Sequence, residues 1–276
     1  MIFLNITLPI VSLALILIII YFLVLVRPPK KTKPDKALIC DYVHRGLHGK
    51  DAPENSLAAF ENACKAGYGI ELDVQLSRDG VVMVFHDYSL LRMTGCDKKL
   101  AELDSNDLSG LFLDGSDQTI PTFSQVLDLV DGAVPMLIEI KQGSGESGIA
   151  EKFIEVIEGY KGDYIVESFH PFALRIVKKA RPDILRGILA YEYMKDERYK
   201  GKIIFRLSQN LELNFLSRPD FISYDHNGHA VPKMKLVHRL FKTPLIAWTV
   251  RSQEEENAAR EHGFSAVIFE NYIPER

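Results

Sequence analysis

The chain has 276 residues, a formal net charge of −4 and a hydrophobic content of 47%. This balance is typical of a folded globular protein and excludes disordered and fibrous chains. A mildly acidic chain also lacks the basic domain of a dedicated nucleic-acid binder. Its three cysteines, Cys40, Cys64 and Cys96, are too few and too scattered for a disulfide scaffold or a zinc cluster.

The N-terminal segment predicts a membrane anchor. Residues 2–26 contain no charged side chain, and about 20 apolar residues suffice for a helix to cross the hydrocarbon core. We therefore expect a transmembrane helix over residues 1–26. Residues 27–37 carry five basic side chains and three prolines, which predict a juxtamembrane linker and, by the positive-inside rule, a cytoplasmic catalytic domain. The expected location is the cell membrane, with a single span.

Residues 38–276 predict one large domain in which strands alternate with helices. The predicted strands cover residues 39–43, 69–76, 81–85, 134–141, 163–168, 185–190, 202–206, 220–224, 244–250 and 265–269. Amphipathic helices are predicted near residues 55–66, 122–130, 147–159, 171–180, 231–241 and 253–262. This alternation favours parallel βαβ units closed into an α/β (β/α)8 TIM barrel. Residues 88–121 break the pattern and predict a small inserted subdomain.

Carboxylates inside apolar strands indicate a metal site. Glu71 and Asp73 are two residues apart, so they point to the same face of a strand. Glu139 lies in a second apolar strand and shares a face with Lys141. Buried carboxylates repel each other unless a cation compensates their charge. Three oxygen ligands suit one divalent cation such as Mg²⁺ or Ca²⁺.

Two histidines follow apolar strands, at the positions where a barrel carries its catalytic groups. His44 comes after the first predicted strand and His86 after the third, which makes an acid/base pair plausible. Arg45 and Lys141 are candidates to hold a phosphate, and Trp248 is a candidate to line the site or a core residue. The residues alone therefore favour metal-assisted cleavage of a phosphodiester.

The motifs of residues 40–275 together resemble the glycerophosphodiester phosphodiesterase family. The resemblance is carried by His44-Arg45-Gly46, Pro53-Glu54-Asn55-Ser56, Glu71-Leu72-Asp73-Val74, Asp79-Gly80, His86-Asp87, Leu90-x-Arg92-x-Thr94-Gly95, Ile120-Pro121-Thr122-Phe123, Glu139-Ile140-Lys141, Ser168-Phe169, Trp248-Thr249-Val250 and the segment from Gly263 to Ile268. It implies a TIM barrel that hydrolyses glycerophosphodiesters to glycerol 3-phosphate and an alcohol.

The resemblance also implies roles for individual residues. His44 and His86 would be the general acid/base pair, and Glu71, Asp73 and Glu139 would bind the cation. Arg45 and Lys141 would contact the phosphate. In the implied mechanism the glycerol 2-hydroxyl attacks phosphorus, and water then opens the cyclic phosphate.

Three segments depart from the family pattern. His170 stands where the family more often has Asp or Asn, and Glu270 stands where an Asp usually precedes the terminal proline motif. Residues 191–230, which include His226 and His229, do not match closely and are interpreted as a variable barrel loop. These departures concern the leaving-group pocket more than the catalytic core.

Other functions compete with this interpretation. The predicted anchor favours lipid-derived substrates as well as small phosphodiesters, so a lysophospholipid-directed enzyme is one alternative. A cyclising enzyme resembling the phosphatidylinositol-specific phospholipases C is another, and its product would be a cyclic phosphate. A silent binding module would lack at least one of the five core acid, base and metal residues, and all five are present.

Overall fold

The structure of the protein is a computed structural model. It describes residues 2–26, 38–142, 148–228 and 232–275. The predicted linker at residues 27–37 and His229 lie outside these ranges.

In the described residues, nine strands form one sheet, and eight of them are parallel and close into a barrel. The strands are β1 (Tyr42–Val43), β2 (Gly69–Leu76), β3 (Val82–Val84), β4 (Met136–Ile140), β5 (Tyr164–Ser168), β6 (Arg186–Ala190), β7 (Phe221–Asp225), β8 (Leu245–Val250) and β9 (Ala266–Phe269). β1 pairs with both β2 and β9, which closes the ring, and β3 is an antiparallel addition to β2. The predicted TIM barrel is confirmed.

Among the described residues, the N-terminal helix precedes the barrel, and the other helices lie in the connections between strands. They are α1 (Ile2–Ile20), α2 (Leu57–Ala66), α3 (Leu91–Thr94), α4 (Ser105–Leu108), α5 (Phe123–Val130), α6 (Ile149–Ile157), α7 (Pro171–Ala180), α8 (Ile203–Gln209), α9 (Asn214–Ser217), α10 (Pro232–Phe241) and α11 (Gln253–Glu261). α2 begins where the Ser56 hydroxyl accepts a hydrogen bond from the Ala59 amide, and it ends at Gly67 in the left-handed conformation.

The barrel interior is apolar at the end where the strands begin. Tyr42, Leu137, Ile165, Phe221 and Ile246 pack there as one buried cluster. Burial of each such side chain contributes on the order of 2 kcal/mol to the free energy of unfolding. Because this end is filled, the polar interior residues lie towards the carboxyl ends of the strands, where a barrel carries its active site.

The segment after β3 packs around a second, smaller buried cluster that it shares with Met83 of β3. It contains α3, a 3₁₀ turn at Leu100–Glu102 and α4, and its buried side chains include Leu90, Met93, Leu108 and Ile120. This is the region predicted as an insertion over residues 88–121. The chain returns to the barrel at Thr122. This residue forms an antiparallel β-bridge with Met83 and is the N-cap residue of α5.

One predicted strand is wrong. The sequence predicts a strand over residues 202–206 because Ile203, Ile204 and Phe205 form a β-branched and aromatic apolar run, but the first turn of α8 begins at Ile203. The helix is favoured because Phe205 packs on the rings of Tyr193 and Tyr199, whereas Ile203 is left 66% exposed. Packing against these rings overrides the local strand propensity.

The N-terminal helix is joined to the barrel at the connection between β6 and β7. α1 continues into one π-helical segment, Tyr21–Val26. The Tyr21 hydroxyl donates to Glu212 Oε1 at 2.6 Å, and Asn214 Nδ2 donates to the Val26 carbonyl at 3.4 Å. Within the described part of the chain, no helix has both the length and the hydropathy needed to cross a membrane. The transmembrane helix predicted over residues 1–26 is therefore not supported.

Candidate active site

Three carboxylates from neighbouring strands meet inside the upper part of the barrel. Glu71 and Asp73 lie on β2, and Glu139 lies on β4, where parallel pairing sets Asp73 beside Glu139. One oxygen from each carboxylate lies within 4.8 Å of the other two. All three residues are buried. The predicted cation ligands are therefore brought together, and this oxygen triad could hold a divalent cation.

The charge of the triad is partly compensated by basic side chains. Lys141 Nζ lies 3.1 Å from Glu139 Oε1 and 3.3 Å from Asp73 Oδ1. Burial lowers the pKa of Lys141, but these carboxylates outweigh it and raise that pKa overall. Burial, followed by the charge of Asp73, raises the pKa of Glu71 well above its ordinary value. Lys141 thus does not compensate all three carboxyl groups, so without a cation Glu71 takes a proton more readily, and a divalent cation would be favoured in the place of that proton.

A strained turn after β1 brings backbone and side-chain groups to the triad. Arg45 has φ 55° and Gly46 has φ 80°. A Cβ on Gly46 would lie 2.9 Å from the Ala59 Cβ and the Phe60 ring, so glycine alone fits there. This turn directs the Arg45 amide to Glu71 Oε2 at 2.9 Å. Asn55 then fixes Asp73, since its Nδ2 donates to Asp73 Oδ2 at 2.9 Å.

Each predicted catalytic histidine is oriented by a carboxylate. His44 Nδ1 lies 2.5 Å from Glu270 Oε2, and His86 Nδ1 lies 2.6 Å from Asp87 Oδ1. In both rings the Nδ1 atom is engaged, so Nε2 is the atom left for proton transfer. Gln75 supports the His86 loop by donating from Nε2 to the carbonyl oxygens of residues 85, 86 and 87.

A chain of ion pairs connects Arg45 with the inserted subdomain. Arg45 Nη1 donates to Glu54 Oε1 at 2.8 Å, and Arg92 Nη2 donates to the same oxygen at 2.6 Å. Arg92 Nε donates to Asp87 Oδ2 at 2.6 Å. Arg92 on α3 therefore contacts both Asp87, which is the partner of His86, and Glu54, which is the partner of Arg45.

Most predicted site residues line one small cavity of about 80 Å³: His44, Arg45, Glu71, His86, Glu139 and Trp248. Asp73 is buried and is not part of this lining, and Lys141 lines a larger cavity that shares His86 and Glu139 with the small one. Trp248 Nε1 is buried and makes no hydrogen bond within the part of the chain that the structure describes. The small cavity has room for a group of the size of a phosphate and little more.

Four acidic residues of the site were not predicted as functional: Glu54, Asp87, Glu167 and Glu270. Glu167 lines the cavity from β5 and accepts a hydrogen bond from the Ser223 hydroxyl. Burial raises the pKa of Glu167 to about 8, so it is mostly protonated at neutral pH. Glu167 could have been predicted as a site residue, because it is a carboxylate within the apolar run of β5. No local signal pairs Glu270 with His44, because 226 positions separate them.

The sequence matches the glycerophosphoryl diester phosphodiesterase family over residues 44–273. The chain belongs to this family. A glycerophosphodiester phosphodiesterase of Caldanaerobacter subterraneus subsp. tengcongensis is 37% identical over 160 residues. That match covers 53% of this chain and 64% of the relative's length, so the chain matches less than two thirds of that curated relative.

Two solved structures share the fold of this chain. A glycerophosphodiester phosphodiesterase of Thermotoga maritima has a TM-score of 0.64 and 28% identity, over 83% of this chain and 94% of that one. A phosphodiesterase of Oleispira antarctica, solved with its product sn-glycerol 3-phosphate, has a TM-score of 0.69 and 24% identity. That match covers 83% of this chain and 92% of that chain. The matched part of this chain thus covers nearly the whole of both solved structures.

Proposed function

We propose that this protein hydrolyses glycerophosphodiesters to glycerol 3-phosphate and an alcohol. The observation that carries the proposal is the pairing of His44 and His86 with carboxylates on the wall of one cavity that also holds the acidic triad. Such a site supplies two proton-transfer groups beside a set of carboxylates that would hold a cation, and the cation would face the phosphate. Family membership and the product bound to the Oleispira antarctica structure support the same reaction class.

Glu71, Asp73 and Glu139 would hold one divalent cation. The donor set fits such an ion because it consists of buried carboxylate oxygens within 4.8 Å of one another, and Mg²⁺ and Ca²⁺ prefer oxygen ligands. Bound there, the cation supplies charge neutralisation to the phosphoryl oxygens. We propose Mg²⁺ or Ca²⁺ as the ion.

In the proposed mechanism His44 acts first as the base. Burial lowers the pKa of His44 to about 4, despite the opposing effect of Glu270, so the ring is neutral at pH 7. Nε2 of His44 takes the proton of the glycerol 2-hydroxyl, whose oxygen forms a bond to phosphorus. The bond from phosphorus to the other alcohol breaks, and His86 gives that oxygen a proton. Water then opens the cyclic phosphate with the two histidine roles reversed.

Arg45 and Lys141 would bind the phosphoryl oxygens. The Arg45 guanidinium is held in place by Glu54 at 2.8 Å and lies 3.6 Å from Asp73, and its Nε makes no hydrogen bond among the described residues. Lys141 adds a buried ammonium on the other side of the triad. An arginine that is already ordered loses little conformational entropy when it binds an anion.

A coupled assay for glycerol 3-phosphate tests the proposal. The full chain in detergent is offered glycerophosphocholine, glycerophosphoethanolamine and glycerophosphoglycerol, with Mg²⁺, with Ca²⁺ and with EDTA. We expect release that requires a divalent cation and is lost in His86→Ala, whereas His262→Ala, at an exposed position after α11, keeps it. Accumulation of cyclic glycerol phosphate would instead indicate a cyclising phospholipase, and absence of any product would refute the proposal.

We also propose that the N-terminal segment holds the enzyme at the cell membrane, with the catalytic domain on the cytoplasmic side. The support is the absence of charge in residues 2–26, the five basic side chains of residues 27–37, and the exposure of large apolar side chains between Ile10 and Val24. Fractionation of cells tests this. We expect the full chain in the membrane pellet and a variant lacking residues 2–26 in the supernatant; equal distribution of the two would contradict it.

A further inference from the structure

A third histidine lies beside the carboxylate that orients the proposed base. His48 Nε2 is 3.8 Å from Glu270 Oε2, the same oxygen that His44 Nδ1 contacts at 2.5 Å. The distance of His48 is longer than a hydrogen bond, but it falls within the range of an ion pair when the imidazole is protonated. Glu270 Oε2 therefore faces two imidazole rings, and a proton on His48 changes the charge that His44 meets.

The turn after β1 fixes the position of His48. The His48 amide donates to the Gly46 carbonyl at 2.8 Å, and the Leu47 amide donates to the Ala59 carbonyl of α2 at 3.0 Å. A Cβ on Gly46 would lie 2.9 Å from the Ala59 Cβ, so the turn packs closely against α2. These contacts hold the backbone of His48, and its ring lies beside Glu270 without any rearrangement of the loop.

His48 differs from His44 in its access to water. Its side chain is 22% exposed and lines a surface cavity of about 420 Å³, whereas His44 lines the small catalytic cavity. Imidazole is the side chain that ordinarily changes its charge near neutral pH. His48 can therefore exchange a proton with solvent while the substrate occupies the catalytic cavity.

The groups around His48 leave one carboxylate as its partner. Among the described residues, Glu270 is the only acidic side chain within 4 Å of the His48 ring nitrogens. Lys50 and Asp51 are the other charged residues that line the surface cavity, and the residues that α2 contributes to it are uncharged. Arg251 Nε holds the opposite oxygen of Glu270 at 2.7 Å. The oxygen Oε2 is thus available to the two histidines.

Glu270 is ionised in this setting, and His44 is neutral. Burial raises the pKa of Glu270, but the contacts with His44 and His48 outweigh burial and hold that pKa well below its ordinary range. Burial lowers the pKa of His44 to about 4. Near neutral pH the charge of Glu270 is therefore free to stabilise a proton that His44 takes up during the reaction.

We infer that His48 is a positioning residue whose protonation weakens His44 as the base. With His48 neutral, Glu270 stabilises the imidazolium that forms when His44 takes the proton of the glycerol 2-hydroxyl. With His48 protonated, its ion pair with Glu270 and its own positive charge disfavour that imidazolium. A weaker base abstracts the proton more slowly, so the first step slows. This inference rests on the proposed function, because it concerns the base of the same reaction.

The pH dependence of kcat tests the inference with two substitutions. His48→Gln cannot be protonated, whereas His48→Lys keeps a positive charge. The full chain in detergent hydrolyses saturating glycerophosphocholine at pH 8 and at pH 5.5, with a divalent cation. We expect the ratio of the wild-type kcat to that of His48→Gln to fall about three- to tenfold between pH 8 and pH 5.5, the effect of one unit charge near the base. The ratio of His48→Lys to His48→Gln should be low at both pH values.

Other titrating groups cancel in these ratios, because they are present in every protein compared. His262→Gln is the control, since it replaces an exposed histidine after α11, and its ratio to the wild type should not depend on pH. A wild-type to His48→Gln ratio that is equal at the two pH values would overturn the inference, because loss of a merely structural contact changes the rate at both.

Nitrogen NMR of the histidines separates failure of this inference from failure of the proposed function. The Nδ1 resonance of His44, assigned by its loss in His44→Gln, reports the contact with Glu270 without substrate. We expect it to move between pH 8 and pH 5.5 in the wild type and to stay constant in His48→Gln. Equal movement in both proteins would overturn the inference, whatever their activity. The expected difference in a protein that hydrolyses no glycerophosphodiester would overturn the proposed function alone.

Discussion

His44 Nδ1 lies 2.5 Å from Glu270 Oε2, and this contact joins the first strand of the barrel to the residue that follows the last. The His44 amide also donates to the carbonyl of Phe269 at 2.8 Å. Arg251 Nε fixes the other oxygen of Glu270 at 2.7 Å. Closure of the barrel between β1 and β9 therefore places the carboxylate that orients the proposed base.

The charge of Glu270 is predicted to support catalysis. Glu270→Gln keeps the size of the side chain but removes the charge that stabilises a protonated His44. We expect kcat to fall roughly 10- to 100-fold, a fraction of what a general base contributes. Glu270→Asp restores the charge one methylene further away and should recover part of the loss. Steady-state kinetics of the three proteins check this, and a Gln variant as active as the wild type would contradict the role.

Glu54 is predicted to affect substrate binding through Arg45. Glu54→Gln weakens its ion pairs with Arg45 and Arg92, so the guanidinium that would bind phosphate is no longer ordered. We expect KM to increase about tenfold with a smaller change in kcat. Asp104→Asn is a matched control, because it removes an exposed arginine pair with Arg78 and should change neither constant. Equal effects of the two substitutions would count against the network.

Glu139 is predicted to control the affinity for the divalent cation. Glu139→Gln replaces a buried anionic ligand by a neutral one, and we expect the dissociation constant for Mg²⁺ or Ca²⁺ to rise at least about tenfold. His44→Gln changes a residue outside the triad and should bind the ion as the wild type does. Titration calorimetry of chelator-treated protein measures both. An unchanged dissociation constant in Glu139→Gln would place the ion elsewhere.

Glu167 is predicted to make stability depend on pH. Its pKa is raised to about 8 by burial, so between its unfolded value and 8 the folded state holds a proton that the unfolded state has lost. Stability therefore falls as pH rises, by about 2 kcal/mol between about pH 5.5 and 7.5. Glu167→Gln removes the Glu167 contribution, so the loss of stability between the two pH values becomes smaller by about 2 kcal/mol, and the share of the other buried carboxyls remains. Urea unfolding in the presence of EDTA measures the free energy of unfolding of both proteins at the two pH values. An equal loss of stability in the wild type and in Glu167→Gln would refute the raised pKa of Glu167.

The sequence was sufficient to predict the barrel and most of the cavity lining. Strand period and strand ends placed Glu71, Asp73 and Glu139 on interior faces and His44 and His86 at the rim. The pairing of His44 with Glu270 could not be predicted, because closure of the sheet creates that contact. The helix at residues 203–209 was missed for a related reason: its local propensity favours a strand, and the aromatic rings of the connection decide otherwise.

The most direct test of the proposed reaction is phosphorus NMR of glycerophosphocholine incubated with the full chain and a divalent cation. The proposal predicts that the diester resonance is replaced by that of glycerol 3-phosphate, and that EDTA or His44→Ala prevents the change. Persistence of the diester with correctly folded protein and bound cation, or conversion that stops at the cyclic phosphate, would contradict it.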